Sequence, residues 1–185
     1  LLQEEKQDQG TILNSMDQDI FRLSEISERF SKIGSKPKLK KILLSDLISE
    51  VSEYMKNRLP NQSGVEINYS GDSNITIQGD WVLLRWALEN LMKNAVDAIM
   101  GTKSGVISIH LTQSEPGIQL DISDTGKGIS RGDWKNIFRP GYSSKPRGWG
   151  LGLSLTQRII EEIHGGSIKV LRSKLGKTIF RLIFP

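Results

Sequence analysis

Four short groups of residues in this chain have types and spacing that could carry chemistry. The first is Glu89-Asn-Leu-Met-Lys-Asn94-Ala-Val-Asp97-Ala, where Asn90, Asn94 and Asp97 recur three or four residues apart and so share one helix face. A polar stripe on so apolar a helix needs partners, because a buried amide without hydrogen bonds is costly. Alone, a satisfied amide pair or an exposed helix edge explains it equally well. The second is Asp124-Thr-Gly126-Lys-Gly128-Ile, where glycines let backbone approach a ligand and permit positive φ, although Asp-Thr-Gly is also an ordinary turn. The third, Ile137-Phe-Arg-Pro-Gly-Tyr-Ser143-Ser144-Lys145, sets two hydroxyls and a cation beside Pro and Gly. That suits a mobile loop closing on an anion, or a solvated surface loop. The fourth is Gly148-Trp-Gly150-Leu151-Gly152-Leu-Ser154, which opens a helix with exposed N–H groups and a positive dipole end, suited to phosphate. It is not a Rossmann fingerprint, since the strand-to-helix unit and the downstream acid are missing.

The elements that must position these groups are legible in the apolar periodicity. Leu39–Leu44 reads as a short strand, followed by a helix over about 46–59 with Ser45 as its N-cap. Val65–Tyr69 and Asn74–Gln78 read as strands, Trp81–Met100 as a long apolar helix, and Val106–Thr112 with Ile118–Ser123 as a hairpin. A helix over Leu151–His164 stops at Gly165-Gly166, and Ser167–Ser173 and Thr178–Phe184 close the chain as strands. Hairpins mixed with three helices predict an α/β two-layer sandwich, a mixed sheet with helices on one face. Residues 1–34 carry apolar positions at Leu13, Met16, Ile20, Leu23, Ile26, Phe30 and Ile33, the stripe of a bundle or coiled-coil helix that ends at Gly34-Ser35-Lys36-Pro37. The expected partition is therefore 1–36, a long helix needing a partner, and 37–185, the main domain. A helix folded back on the main domain is the alternative.

Composition excludes whole classes. With 185 residues, 37% hydrophobic and 25% charged, the chain is an ordinary globular protein able to bury a core unaided. It has no cysteine and only two histidines, His110 and His164, which removes disulfides, thiol chemistry and histidine-rich metal sites. The net charge of +4 is spread out and the aromatics are not interleaved with it, so no nucleic-acid partner is expected. No apolar run approaches the length of a membrane span, so no membrane contact by this segment and a cytoplasmic location are expected.

In this order and within one domain, the four groups resemble the ATP-binding catalytic domain of sensor histidine kinases, in the superfamily shared with type II topoisomerases, Hsp90 and MutL-type proteins. The resemblance spans roughly residues 40–185. Gly79-Asp80, His164-Gly165-Gly166 and Gly176-Lys-Thr178 fit it too, and Asn-Ala-Val-Asp-Ala is similar to the nitrogen-regulator-type subgroup. The N-terminal stripe resembles the second helix of that family's dimerisation and phosphotransfer hairpin, which implies a homodimer through this helix.

The resemblance implies ATP and Mg²⁺ as cofactors and a Bergerat fold. Asn94 would give an amide oxygen to Mg²⁺, with Asn90 one turn earlier beside the same ion and phosphates. Asp124 would accept from the adenine amino group, while Gly126 and Gly128 pack the purine and Thr178 touches it. Ser143, Ser144 and Lys145 would form a lid over the phosphates, and Gly148, Gly150 and Gly152 would donate backbone N–H groups. Asp97 and Leu151 complete the nucleotide-binding set. The implied activity is phosphoryl transfer to a histidine, with a response-regulator receiver domain as partner. Neither His110 nor His164 fits the acceptor motif, so the acceptor is expected upstream of Leu1 and this fragment is not expected to phosphorylate itself. Hydrolytic relatives carry glutamate where Asn90 stands, and an amide is no general base. A hydrolysing clamp, a non-catalytic interaction module and an anti-sigma-type serine kinase are the competing readings. Trp149 departs from the small polar residue often found in the glycine run.

Overall fold

The computed structural model describes residue 20 and residues 37–60, 63–100, 104–115, 117–145 and 148–185. The chain divides into two compact units, Leu1–Pro37 and Lys38–Pro185. The N-terminal helical stripe and its glycine–proline stop, expected over 1–37, fall almost wholly outside the described residues.

In the second unit, β1 (Lys40–Leu43) pairs antiparallel with β3 (Thr76–Gly79) as a two-stranded sheet. The main sheet has the order β2-β4-β5-β7-β6, from β2 (Val65–Gly71), β4 (Gly105–Ser114), β5 (Gly117–Asp124), β6 (Ser167–Lys174) and β7 (Lys177–Phe184). The β2–β4 pair is parallel and the other three pairs are antiparallel.

Strict alternation makes one face of this sheet the core. Ile107, Ile109 and Leu111 of β4 are buried, as are Ile118, Leu120 and Ile122 of β5 and Phe180, Leu182 and Phe184 of β7. On the opposite face Asp121 and Arg181 meet in register, with Arg181 Nε and Nη2 each 2.7 Å from a carboxylate oxygen. His110 is exposed on that face, its Nδ1 3.1 Å from Ser70 Oγ.

Helices cover the apolar face. α1 (Leu44–Lys56) buries Leu44, Leu47, Ile48, Val51 and Met55, a stripe at helical spacing. Ser45 is not its cap: the helix starts at once after β1 with no side-chain cap, and Ser45 Oγ donates to the Ser73 carbonyl at 2.7 Å. That bond ties the start of α1 to the turn before β3. α2 (Trp81–Ile99) buries Leu83, Leu84, Ala87, Leu88, Leu91, Met92, Ala95 and Ile99 and packs on α1, β4 and β5. Asp80 caps it, Oδ1 accepting from the N–H groups of Val82 and Leu83 at 3.1 and 3.2 Å. α3 (Gly152–Arg158) continues as a π turn over Ile159–Ile163, so the closing helix is not α-helical to its end. At that end His164 is buried, Nδ1–H donating to the Ile159 carbonyl at 2.7 Å and Nε2 accepting from the Asp80 N–H at 3.0 Å.

Candidate functional site

The last turns of α2, the segment after β5 and the loop before α3 enclose an open cleft of about 230 Å³. Of the residues singled out from sequence, Asn94, Asp97, Asp124, Gly128, Ser144, Lys145 and Thr178 line it. Asn90, Gly126, Ser143, Gly148, Gly150, Leu151 and Gly152 do not.

Asp124 closes the inward-facing row of β5, standing where the alternation calls for an apolar residue, and is only 5% exposed. Its Oδ1 accepts the Gly126 N–H at 2.8 Å. Burial pushes its pKa up to about 6, partly opposed by that bond. Its cross-strand partner Thr178 is 2% exposed and shares a 3.0 Å hydroxyl bond with Ser173, which accepts the Ile129 N–H at 2.7 Å. A carboxylate and a hydroxyl, both held by second partners, thus form the cleft's buried polar floor.

The glycine turn is clamped between α2 and the β6–β7 connection. The Lys127 N–H reaches the Ala98 carbonyl at 3.0 Å, and a Cβ on Gly126 would stand 2.5 Å from Ala98 backbone atoms. Gly128 has φ +81° and no room for a Cβ beside the Lys174 carbonyl.

Above the floor, Lys145 crosses from the loop to α2. Its Nζ donates to Asn94 Oδ1 at 3.1 Å and pairs closely with Asp97 Oδ2. Asn90, one turn earlier, is committed elsewhere: its Nδ2 donates to Thr156 Oγ1 at 2.9 Å, bracing α2 against α3.

Each glycine of the run Gly148–Gly152 meets a different close neighbour. A Cβ on Gly148 would meet Ser143 Oγ at 2.2 Å, one on Gly150 the Gly141 backbone at 2.3 Å, and one on Gly152 Asn90 Oδ1 at 2.2 Å. Ser143 turns back on its own loop, Oγ accepting from the Lys145 N–H at 3.1 Å. Leu151 is the residue before α3 and takes the Ser154 hydroxyl at 2.9 Å on its carbonyl.

Several lining residues were not singled out from sequence. Phe180 continues the inward row from Thr178, a position that alternation alone could have supplied. Tyr142 donates its hydroxyl to Asp133, which holds the tyrosine pKa up, and both line the cleft. No local signal announces that pair, because it joins the loop to a separate 3₁₀ turn, Arg131–Asp133. Lys127, between the two glycines, lines the cleft as well.

The donor set fits a hard cation and a purine nucleotide. Asn94 and Asp97 offer amide and carboxylate oxygens that already accept from one cationic nitrogen, and Mg²⁺ prefers such oxygens. The buried acceptor Asp124 beneath close-packed glycine backbone fits a flat base carrying an N–H donor.

Comparison with known proteins identifies the family. The family described as histidine kinase-, DNA gyrase B-, and HSP90-like ATPase matches residues 79–185. The sensor histidine kinase ZraS of Escherichia coli is 33% identical over 126 residues, covering 68% of this chain and 26% of ZraS. The chain spans about a quarter to a third of the length of the curated relatives it matches. Among solved structures, full-length ShkA in complex with AMPPNP is similar with a TM-score of 0.68 and 26% identity, covering 85% of this chain and 34% of that one. The histidine kinase ThkA in complex with the response regulator TrrA has a TM-score of 0.71 at 22% identity, covering 93% of this chain and 50% of that one. No described helix is long and apolar enough to cross a membrane. With the family match covering more than half of its residues, the chain belongs to the histidine kinase-, DNA gyrase B- and HSP90-like ATPases, as an ATP-binding catalytic domain of the histidine-kinase type.

Proposed function

We propose that this domain binds Mg·ATP in the cleft and, as the catalytic core fragment of a two-component sensor histidine kinase, presents the γ-phosphoryl group to a histidine other than His110 and His164. The observation carrying this reading is that Asp124, Asn94 and Lys145 line one cleft. Asp124 accepts from the adenine amino group; guanine has an acceptor there, leaving a buried carboxylate facing an oxygen. Thr178, Gly126 and Gly128 pack the base. Asn94 holds the metal, which when bound neutralises phosphate charge. Lys145, Ser143 and Ser144 close over the phosphates, while Gly148, Gly150 and Gly152, with Leu151, supply backbone N–H groups as the loop rearranges. Phosphoryl transfer needs chiefly positioning and charge neutralisation, and this set is sufficient for the nucleotide side.

The acceptor is elsewhere for physical reasons. His164 has both ring nitrogens engaged in the core, and His110 lies on the sheet face opposite the helices. Steady hydrolysis is disfavoured because Asn90 cannot act as a base and is bonded to Thr156. ThkA is described in complex with a response regulator. On that analogy the partner of the whole protein is a receiver domain, and residues 1–36 supply a homodimer helix. Calorimetric titration with Mg·AMPPNP and with a GTP analogue tests the reading. Binding of the adenine nucleotide alone, lost in Asn94→Ala when Mg²⁺ is present, is expected; no binding, or equal binding of both, overturns it.

A further inference from the structure

Asp97 is the cleft carboxylate that stands directly against a cation, the ammonium of Lys145. A carboxylate that lines a phosphate-sized cavity repels a triphosphate unless a cation stands between them. In the free protein that cation is the ammonium of Lys145, which touches Asp97 Oδ2 and, at 3.1 Å, Asn94 Oδ1. The two residues are three apart on α2, so their oxygens lie on one face, close enough for one nitrogen to reach both.

We propose that Asp97 and Asn94 together form a divalent-cation site, and that Lys145 is the resident counter-cation that must leave before the metal enters. The amide oxygen of Asn94 and the carboxylate of Asp97 are hard donors suited to Mg²⁺ or Mn²⁺. A metal ion at Asn94 Oδ1 is repelled by an ammonium on the same oxygen, since two positive charges then stand within a few ångströms of each other. Metal entry and release of the Ser143–Lys145 segment are therefore one exchange. The released ammonium is free to meet the phosphates, while Asp97 keeps a cation beside it throughout. In the setting of Mg·ATP this deepens the proposed function and rests on it, but the exchange itself needs no nucleotide.

The test is Mn²⁺ binding to the full chain without nucleotide, followed by electron paramagnetic resonance at low ionic strength. Removing the competing charge by Lys145→Met, or by Lys145→Gln, is expected to tighten Mn²⁺ binding at least three-fold. Lys145→Arg, which keeps the charge, is expected to leave it near the unmodified value. Asp97→Asn is expected to cancel the gain when combined with Lys145→Met. Thermal melts of each variant establish that it is folded. Unchanged or weaker Mn²⁺ binding in both neutral Lys145 variants, or a gain that survives Asp97→Asn, overturns the proposal. Nucleotide titration separates the two readings. AMPPNP binding without the Mn²⁺ pattern sinks only the exchange, and the Mn²⁺ pattern without AMPPNP binding sinks only the nucleotide function.

Discussion

Asp124 and Thr178 face each other as a registered pair across β5 and β7, each at the cleft end of a row of buried apolar side chains. The two strands fill their other inward positions with Ile, Leu or Phe and place a carboxylate and a hydroxyl at this one. Burial there favours the neutral acid, while accepting from a base amino group is strongest in the charged form. The site thus holds a group poised against its own surroundings, as ligand-reading groups often are.

That tension gives nucleotide binding a pH dependence. With a pKa of about 6 in the free protein, Asp124 loses its acceptor charge as the pH falls through that value. Affinity for AMPPNP is expected to be flat above pH 7 and to weaken about ten-fold per unit well below pH 6. In Asp124→Asn the slope should vanish along with most adenine preference. Calorimetry between pH 5 and 8 reads both.

The same shift carries a stability consequence of opposite sign. The folded value lies above the ordinary 3.8, so folding favours the proton and stability falls as the pH rises from about 4 to about 6. Asp124→Asn, which removes a charge penalty at neutral pH, is expected to stabilise the ligand-free domain by on the order of 1–3 kcal/mol at pH 7. Urea denaturation checks it; a destabilised variant would show that the Gly126 bond outweighs desolvation.

Gly126 offers a test of the clamp. It does not have the positive φ that makes Gly128 obligatory, so its constraint is contact with Ala98 and not backbone strain. Gly126→Ala is expected to cost about 1–3 kcal/mol by pushing the turn off α2, and to weaken nucleotide binding. An unchanged melting temperature would mean that the turn yields freely.

The alternation that set the strands, and the apolar stripes that set α1 and α2, were legible because each position reports its own environment. What was not legible depends on partners distant in sequence. Ser45 had the right type for a cap, yet its hydroxyl found the Ser73 carbonyl instead. Asn90 shares a helix face with Asn94, yet α3 supplies Thr156 as its partner. The π turn after Arg158 has no local marker in Ile159–Ile163. The candidate site followed the same division. Its acceptors and glycines stood out by type, whereas Tyr142 and Asp133 acquire their place only when two loops meet.

The contact between Asn90 and Gly152 should behave as a coupled pair. Asn90→Ala is expected to cost about 1 kcal/mol through the lost bond to Thr156. Gly152→Ala alone would thrust its Cβ to 2.2 Å from Asn90 Oδ1. In the Asn90→Ala background that obstacle is gone, so the double variant should be more stable than the sum of the single costs by about 1 kcal/mol or more. Strict additivity in a denaturation cycle would show that the close approach of α2 and α3 is held by something else.

His164 should make the fold acid-sensitive in the direction opposite to Asp124. Its Nδ1–H is spent on the Ile159 carbonyl and its Nε2 must stay unprotonated to accept from the Asp80 N–H, the residue that caps α2. Burial lowers its pKa below the ordinary 6.5, with the Ile159 bond and Asp80 acting against the shift. A folded value below the unfolded one means that its contribution is complete above pH 6.5 and lost as the pH falls through the folded value. Because Asp124 masks this trend over part of the range, the measurement belongs in the Asp124→Asn background. There, stability is expected to drop below pH 6.5, and His164→Phe should be less stable at pH 7 yet lack that drop. If acid sensitivity persists without the imidazole, the group responsible lies elsewhere and the cap of α2 is not reached through His164.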